Sequence, residues 1–398
     1  MDIAMIFDGL QVGGIEKVGA SYCRLLVEMG HRVTVVNLRP DLTEFEGEFP
    51  PECVIEHFMF PRYRAPEARA GLIQNGYAGK LSYPLRYTAA SLRNVLSRPL
   101  CRRRCPSLRR SFDLAIAFAG HFNDLTFVAH GFVRARAAVC WLHGALYQYF
   151  ISSAGYLELY QKIGNLVVLV DDAQEEVLAY HPELRLNIRK MYNPTFISGE
   201  DADPAHVVEL RARYGRYLLM AARFSYPHKD HYTVADAFRL LRERYHDDLE
   251  LVFAGDGPEE QKVRDHIAAW GSDAASHVHF VGARHDMQDY YSAAHILVHA
   301  SVAGEGLPTV MLEALSFGLP MVVTDSKVGP REILRDNEYG LLCRVSDPED
   351  MAEKIHRLHR DEDLYRTYSD KSEQRLRDFR PDVIRRQLAE MLDELCGS

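Results

Sequence analysis

Two acids and two cations stand out by their type and spacing. Glu305 and Glu313 lie in GEGLPTVMLEALSFGLPMVVTDS, residues 304–326, a run otherwise short of charge. An ionised carboxylate set among leucines costs on the order of several kcal/mol unless something answers it. Pro308 suits the first turn of a helix, so a helix is expected to begin at Leu307 or Pro308. Glu305 and Gly306 then belong to the preceding loop, and Glu313 lies about one and a half turns inside. The backbone N–H groups of Thr309 and Val310 would point outward, as an anion site requires. A phosphate seated there would leave Glu305 near one end of the ligand and Glu313 near the other, each able to accept charge-assisted hydrogen bonds from hydroxyl groups. The alternative lies within the chain: Glu305 caps a helix and Glu313 pairs with Arg331. Arg223 and Lys229, in AARFSYPHKD, offer a planar fork and a mobile point charge, a pair suited to two neighbouring phosphates. Their alternative is two solvated cations after a strand.

The elements that must position these groups alternate. DIAMIFD, HRVTVVNL, DLAIAFAG, AAVCWLHG, NLVVLVDD and IRKMYNP are short apolar runs separated by longer amphipathic segments. The pattern restarts with RYLLMAARF, LELVFAGDG, HVHFVG, HILVHAS, PMVVTDS and YGLLCRV. Such alternation reads as parallel sheets covered on both faces. Between Asn193 and Pro204 it lapses into Gly, Pro, Ser and acids, as a linker does. Two doubly wound domains are therefore expected, 1–195 and 196–378, with 379–398 a helix that either braces the first domain or caps the second. Ligands of open α/β sheets sit outside the carboxyl ends of strands, which is where Asp8–Gly14, His143, Arg223–Lys229 and Glu305 fall.

Composition narrows the function. A net charge of -9 argues against general nucleic-acid binding. Seven scattered cysteines without metal spacing fit a reducing, cytoplasmic setting. Gly13-Gly14 is not G-x-G-x-x-G, and the second apolar run ends in VVNLRP with no acid for a ribose, which argues against a nicotinamide enzyme. No D-x-D triplet or His/Cys ligand group stands in a motif position, so no metal is expected, and Asp171-Asp172 read as a helix cap. One stretch departs from the acidic average. From Ala68 to Phe112 there is no Asp or Glu, while arginines accumulate from Arg86 to Arg110. Pro99 and Pro106 are expected to break any continuous helix there. The segment could meet an anionic membrane peripherally, form a solvated helical face, or bind a pyrophosphate-linked acceptor.

EGLPTVMLE (305–313), followed by ALSFGLPMVVTD and GPREIL, resembles the C-terminal domain of family 4 glycosyltransferases, which are retaining, nucleotide-sugar-dependent enzymes. The resemblance implies the GT-B fold, two Rossmann-like doubly wound domains with an interdomain cleft. It gives Glu305 the transferred sugar and Glu313 the ribose hydroxyls, and gives Arg223 and Lys229 the diphosphate, with Lys229-Asp230 where the family often has Lys-Gly. LVFAGDGPEEQKV and VHFVGARHDM are similar to the next two elements, in which the loop Ala283–Asp286, with Arg284, reads the base. DGLQVGGIEKV resembles the glycine loop, placing Gly13 and Gly14 near the donor phosphate and the acceptor, and WLHG places His143 near the reaction centre. The implied catalytic set is Glu305, His143, Lys229 and Arg223. The donor set adds Gly306, Leu307, Thr309 and Val310. The expected activity moves a hexose or N-acetylhexosamine from a UDP-sugar, with GDP as the alternative base, to a glycan or lipid-linked hydroxyl in surface-polysaccharide or glycolipid synthesis, without a cofactor. A sugar-nucleotide epimerase and a catalytically silent partner subunit share this architecture as rivals. The expected location is the cytoplasm or the inner face of its membrane.

Overall fold

The structure, a computed structural model, describes residues 1–61, 65–67, 77–144, 155–180 and 184–397. Among them, the apolar runs form two parallel sheets. The first holds β1 (Asp2–Phe7), β2 (Arg32–Asn37), β3 (Val54–His57), β4 (Ser111–Ala117), β5 (Arg134–Trp141), β6 (Asn165–Val168) and β7 (Asn187–Lys190), in the order β3-β2-β1-β4-β5-β6-β7. The second holds β8 (Tyr217–Ala221), β9 (Glu250–Ala254), β10 (Val278–Gly282), β11 (Ile296–His299), β12 (Met321–Thr324) and β13 (Leu341–Cys343), in the order β10-β9-β8-β11-β12-β13. Ile3–Phe7 and Tyr217–Met220 are wholly buried, because helices cover both faces of a parallel sheet and leave no polar alternation. The strand absent from the sequence reading is β3. Its VIEH lies at a sheet edge with no residue fully buried, so it carries no apolar run, and with it counted His143 follows the fifth strand.

The chain divides into two compact units, Met1–Pro194 with Pro381–Ser398, and Thr195–Arg380. The boundaries fall at 194/195 and 380/381, against the expected 195/196 and 378/379. The helix Pro381–Cys396 belongs to the first unit: Cys396 Sγ reaches the Asp113 carbonyl at 3.6 Å, Arg385 pairs with Glu28, and Glu394 meets Arg189 and Asn187.

The expected break at Pro99 does not occur. One helix runs from Tyr77 through Pro84 and Pro99 to Arg104, and Pro106 opens a separate short turn. Pro99 is exposed, and so is Val95, whose carbonyl loses the proline's missing N–H and can turn to water instead. Of the basic stretch, residues 68–76 lie outside the described residues.

Candidate functional site

In the second sheet the strand order reverses between β8 and β11, the point at which ligands of such sheets collect. The loop after β8 carries Arg223 and Lys229, and β11 ends on His299 shortly before Glu305. Adjacency of the two strands brings these groups together. Lys229 Nζ donates to Glu305 Oε1 at 2.7 Å, and His299 Nε2 lies 3.2 Å from both Glu305 oxygens. Backbone bonds hold the two loops in that alignment: Asp230 N donates to Ala300 O at 2.8 Å, and Val302 N and Ala303 N both donate to Pro227 O.

The Glu305 side chain is 10% exposed. Burial works to raise its pKa, but His299 and Lys229 outweigh that and hold it down at about 2, so the carboxylate is ionised. His299 is buried and its pKa is lowered, first by burial, so the ring is neutral. Donation to Glu305 then places its proton on Nε2. Nδ1 has no hydrogen-bond partner among the described residues. Asp230, where a glycine was the family's habit, is buried and caps the helix His231–Glu243: Oδ1 accepts from Thr233 N at 3.1 Å and Oδ2 from Thr233 Oγ1 at 2.6 Å.

Arg223 is exposed, and its backbone is set by the glycines of AGDG. Phe224 N donates to Asp256 O at 2.8 Å, and a Cβ on Gly257 would lie 2.5 Å from Phe224 O and 2.7 Å from Phe224 N. Gly257 has φ +152°, a conformation that side chains disfavour. Gly255 likewise faces the Ala222 carbonyl and donates its N–H to Gly282 O at 2.8 Å.

The helix after Glu305 spans Thr309–Ser316 and not from Leu307 or Pro308. Pro308 has ψ 116°, which is extended, so it precedes the helix and the first helical amides are those of Thr309 and Val310. The loop before it is clamped: Glu305 O accepts from Val328 N at 3.0 Å and Gly329 N at 3.1 Å, and Gly329 packs its Cα against the Gly306 carbonyl with no space for a side chain. Leu307 is buried. Glu313, 5% exposed, accepts at Oε2 from Tyr291 OH at 2.7 Å. Arg331 is not its partner; it pairs with Asp325 and Asp336. The acids that looked unanswered in sequence are therefore met by Lys229, His299 and Tyr291. The sequence reading singled out neither His299 nor Tyr291. The signal for His299 was present, since a histidine inside HILVHAS sits where a buried strand residue needs a polar partner.

Arg284 forks onto Asp286, Nε to Oδ1 at 2.8 Å and Nη2 to Oδ2 at 2.6 Å, and lies over the Tyr290 ring. Of the described residues, His206, Asp286 and Asp289 approach as metal ligands would. They already satisfy one another: His206 Nδ1 bonds Asp289 Oδ2 at 2.8 Å, Asp203 N donates to Asp289 Oδ1 at 2.8 Å, and Arg284 occupies Asp286.

The first unit has its own order reversal between β1 and β4. Gly13 precedes the helix Gly14–Glu28, and a Cβ there would lie 2.5 Å from Glu16 Oε2, a carboxyl that burial pushes up to about 7. Gly14 stands at the helix start with open space around it. His143 Nε2 lies 2.7 Å from Phe118 O. Burial first, then His121, lowers its pKa, which the Phe118 carbonyl only partly offsets, to about 4. The ring is neutral, and since a carbonyl only accepts, the proton is on Nε2 and Nδ1 is the acceptor.

Residues 215–361 match the model of the family described as glycosyl transferases group 1. That match lies within the second unit. An exopolysaccharide phosphotransferase of Streptomyces coelicolor is 37% identical to this chain over 150 residues, which are 38% of this chain and 16% of that protein. A Campylobacter jejuni N-acetyl-D-galactosaminyltransferase named for an undecaprenol-linked substrate is 27% identical over 163 residues, 41% of this chain and 43% of that protein. The chain thus spans less than half of the length of these curated relatives. Over the whole chain, likeness is in shape: the Anabaena protein HepE, solved with UDP, gives a TM-score of 0.72 at 18% identity, covering 99% of this chain and 100% of that one. The chain has the GT-B fold.

Proposed function

We propose that the chain is a retaining glycosyltransferase of family 4 type, moving a hexose or N-acetylhexosamine from a nucleoside-diphosphate sugar to a hydroxyl of a glycan or lipid-linked acceptor in polysaccharide or glycolipid synthesis. The observation that carries this reading is the Lys229–Glu305–His299 cluster at the β8/β11 reversal, one loop from the open N-terminus of Thr309–Ser316. A UDP donor is favoured by the likeness to HepE, which has been solved with UDP and with UDP-glucose. The lipid-linked acceptor draws on the name of the Campylobacter relative.

In this reading the diphosphate meets Arg223, Lys229 and the amides of Thr309 and Val310, whose favour grows as the leaving group gathers charge. Glu305, kept ionised by His299 and Lys229, accepts from hydroxyls of the transferred sugar. Tyr291 orients Glu313 toward the ribose. The acceptor attacks on the face from which the diphosphate departs, an oxocarbenium-like centre forms, and the departing phosphate oxygen takes the acceptor proton. No resident cofactor or metal is invoked, since the cations and helix amides supply the charge. On the first unit, Gly13, Gly14 and the Nδ1 acceptor of His143 are the groups available to the acceptor.

The test is a thermal-shift panel of UDP, GDP, ADP and their sugars, because a ligand that binds only the folded state raises the melting temperature by mass action. UDP should raise it most, Glu313→Ala should weaken that shift, and Lys229→Ala should mainly depress turnover, with activity unchanged in EDTA. No shift from any nucleotide would sink the reading. Conversion of the donor in the absence of any acceptor would replace it with the epimerase reading.

A further inference from the structure

The helix Tyr77–Arg104 wears its polarity inside out. At 3.6 residues per turn, Tyr87, Asn94, Arg98 and Arg102 share the face turned to the first unit. Asn94 is buried there, and Arg102 donates to the Gly131 carbonyl at 2.6 Å and to that of Phe132 at 3.2 Å. The opposite face holds Leu85, Leu92, Leu96 and Leu100, which are 76, 58, 68 and 60% exposed. A helix docked on a globular unit ordinarily buries its leucines and wets its polar groups. Here the core-facing side carries Tyr87, Asn94, Arg98 and Arg102 beside only the small buried Ala90 and Cys101, and a leucine stripe is offered to the outside.

Charge says what should cover that stripe. Arg86, Arg93 and Arg104 run along one flank of it, and no Asp or Glu occurs from residue 68 to 112, in a chain whose overall charge is -9. Arg109 and Arg110 are turned to other tasks, on the Arg103 carbonyl and on Thr34. We propose that this face seats on an anionic bilayer surface, the leucines entering the boundary between headgroups and acyl chains and the arginine row meeting lipid phosphates. No described helix is long and apolar enough to cross a membrane, so this one lies along the surface. A second copy of the chain is the poorer occupant, since apposing two such stripes would bring arginine rows together with no acid in the segment to answer them. The inference rests on this helix alone and stands or falls separately from the donor reading.

The experiment is co-sedimentation of the full chain with vesicles of phosphatidylcholine, with and without about 30% phosphatidylglycerol, alongside gel filtration. The wild type should bind the anionic vesicles and leave the neutral ones about tenfold less occupied. Leu92→Gln with Leu96→Gln should lower anionic binding by about tenfold or more, and replacement of Arg86, Arg93 and Arg104 by Gln should erase the preference for anionic lipid. All these positions are exposed, so circular dichroism and the melting temperature should match wild type. Failure of the wild type to bind anionic vesicles, or binding by both variants equal to wild type, would overturn the proposal. So would a dimer that becomes monomeric in the leucine variant.

Discussion

Replacing Gly257 with alanine tests how the Arg223 loop is built. The new Cβ would stand 2.5 Å from Phe224 O and 2.7 Å from Phe224 N, so the backbone next to Arg223 must retreat by about 0.9 Å to reach ordinary contact at 3.4 Å. The position has φ +152°, and holding alanine there costs about 1–3 kcal/mol. The retreat also strains Phe224 N to Asp256 O at 2.8 Å and Glu259 N to Phe224 O at 3.2 Å, each worth about 1 kcal/mol net. The total is about 3–5 kcal/mol, or a fall in melting temperature of about 6–20 °C for a unit of this size. Displacement near 1 Å exceeds the roughly 0.5 Å within which a site keeps its geometry, so turnover should drop by about a hundredfold and the UDP-induced melting shift should shrink where protein remains folded. The comparison is Gly271→Ala in the same unit, at φ +64° but with open space around the new atom; it carries only the backbone strain, about 1 kcal/mol. Scanning fluorimetry with and without UDP reads both effects. If Gly257→Ala melts within about 2 °C of wild type and takes the same UDP shift, AGDG does not set the Arg223 loop.

Two further outcomes follow from buried groups of the second unit. Burial, together with cationic and histidine neighbours, lowers His231 to about 3 and His295 to about 4, below the ordinary histidine value. A group held below its unfolded pKa binds its proton more readily in the unfolded chain, so stability from these two is full above about pH 6.5 and drains as pH falls toward their folded values. Each should contribute a loss of about 2 kcal/mol at pH 5, read by urea unfolding between pH 7.5 and 5, and His231→Phe should flatten that slope by about 1.4 kcal/mol per pH unit; an unchanged slope would contradict it. Asp230→Ala should remove the cap on His231–Glu243 and lower stability by about 1–2 kcal/mol, with Asp230→Asn retaining most of it. Equal melting of all three proteins would show that the cap is idle.

Much of the fold was legible because each buried strand had to be a continuous apolar run between turn residues. β3 was not, since an edge strand half in water leaves no such run. In the site, residue types were legible and pairings were not. Glu305 and Lys229 could be named as acid and cation, but 76 residues separate them, and only the adjacency of β8 and β11 makes them a pair. Sequence therefore assigned both acids to a ligand, while the structure gives each a protein partner first. HILVHAS signals that His299 needs a polar partner, but nothing in that segment names the partner as Glu305. Pro99 misled in the other direction: the carbonyl that loses its bond belongs to exposed Val95 and can turn to water, so the helix continues through it.

That Pro381–Cys396 packs on the first unit has a consequence for biosynthesis. As the polypeptide leaves the ribosome, the opening sheet must wait, with Asp113 and Arg189 uncovered, until nearly every other residue has emerged, whereas the intervening unit can mature by itself. Removing residues 381–398, or fusing a bulky tag there, should therefore injure the half made first. A dissection at residue 195 should yield an N-terminal fragment that needs the detached terminal helix supplied in trans.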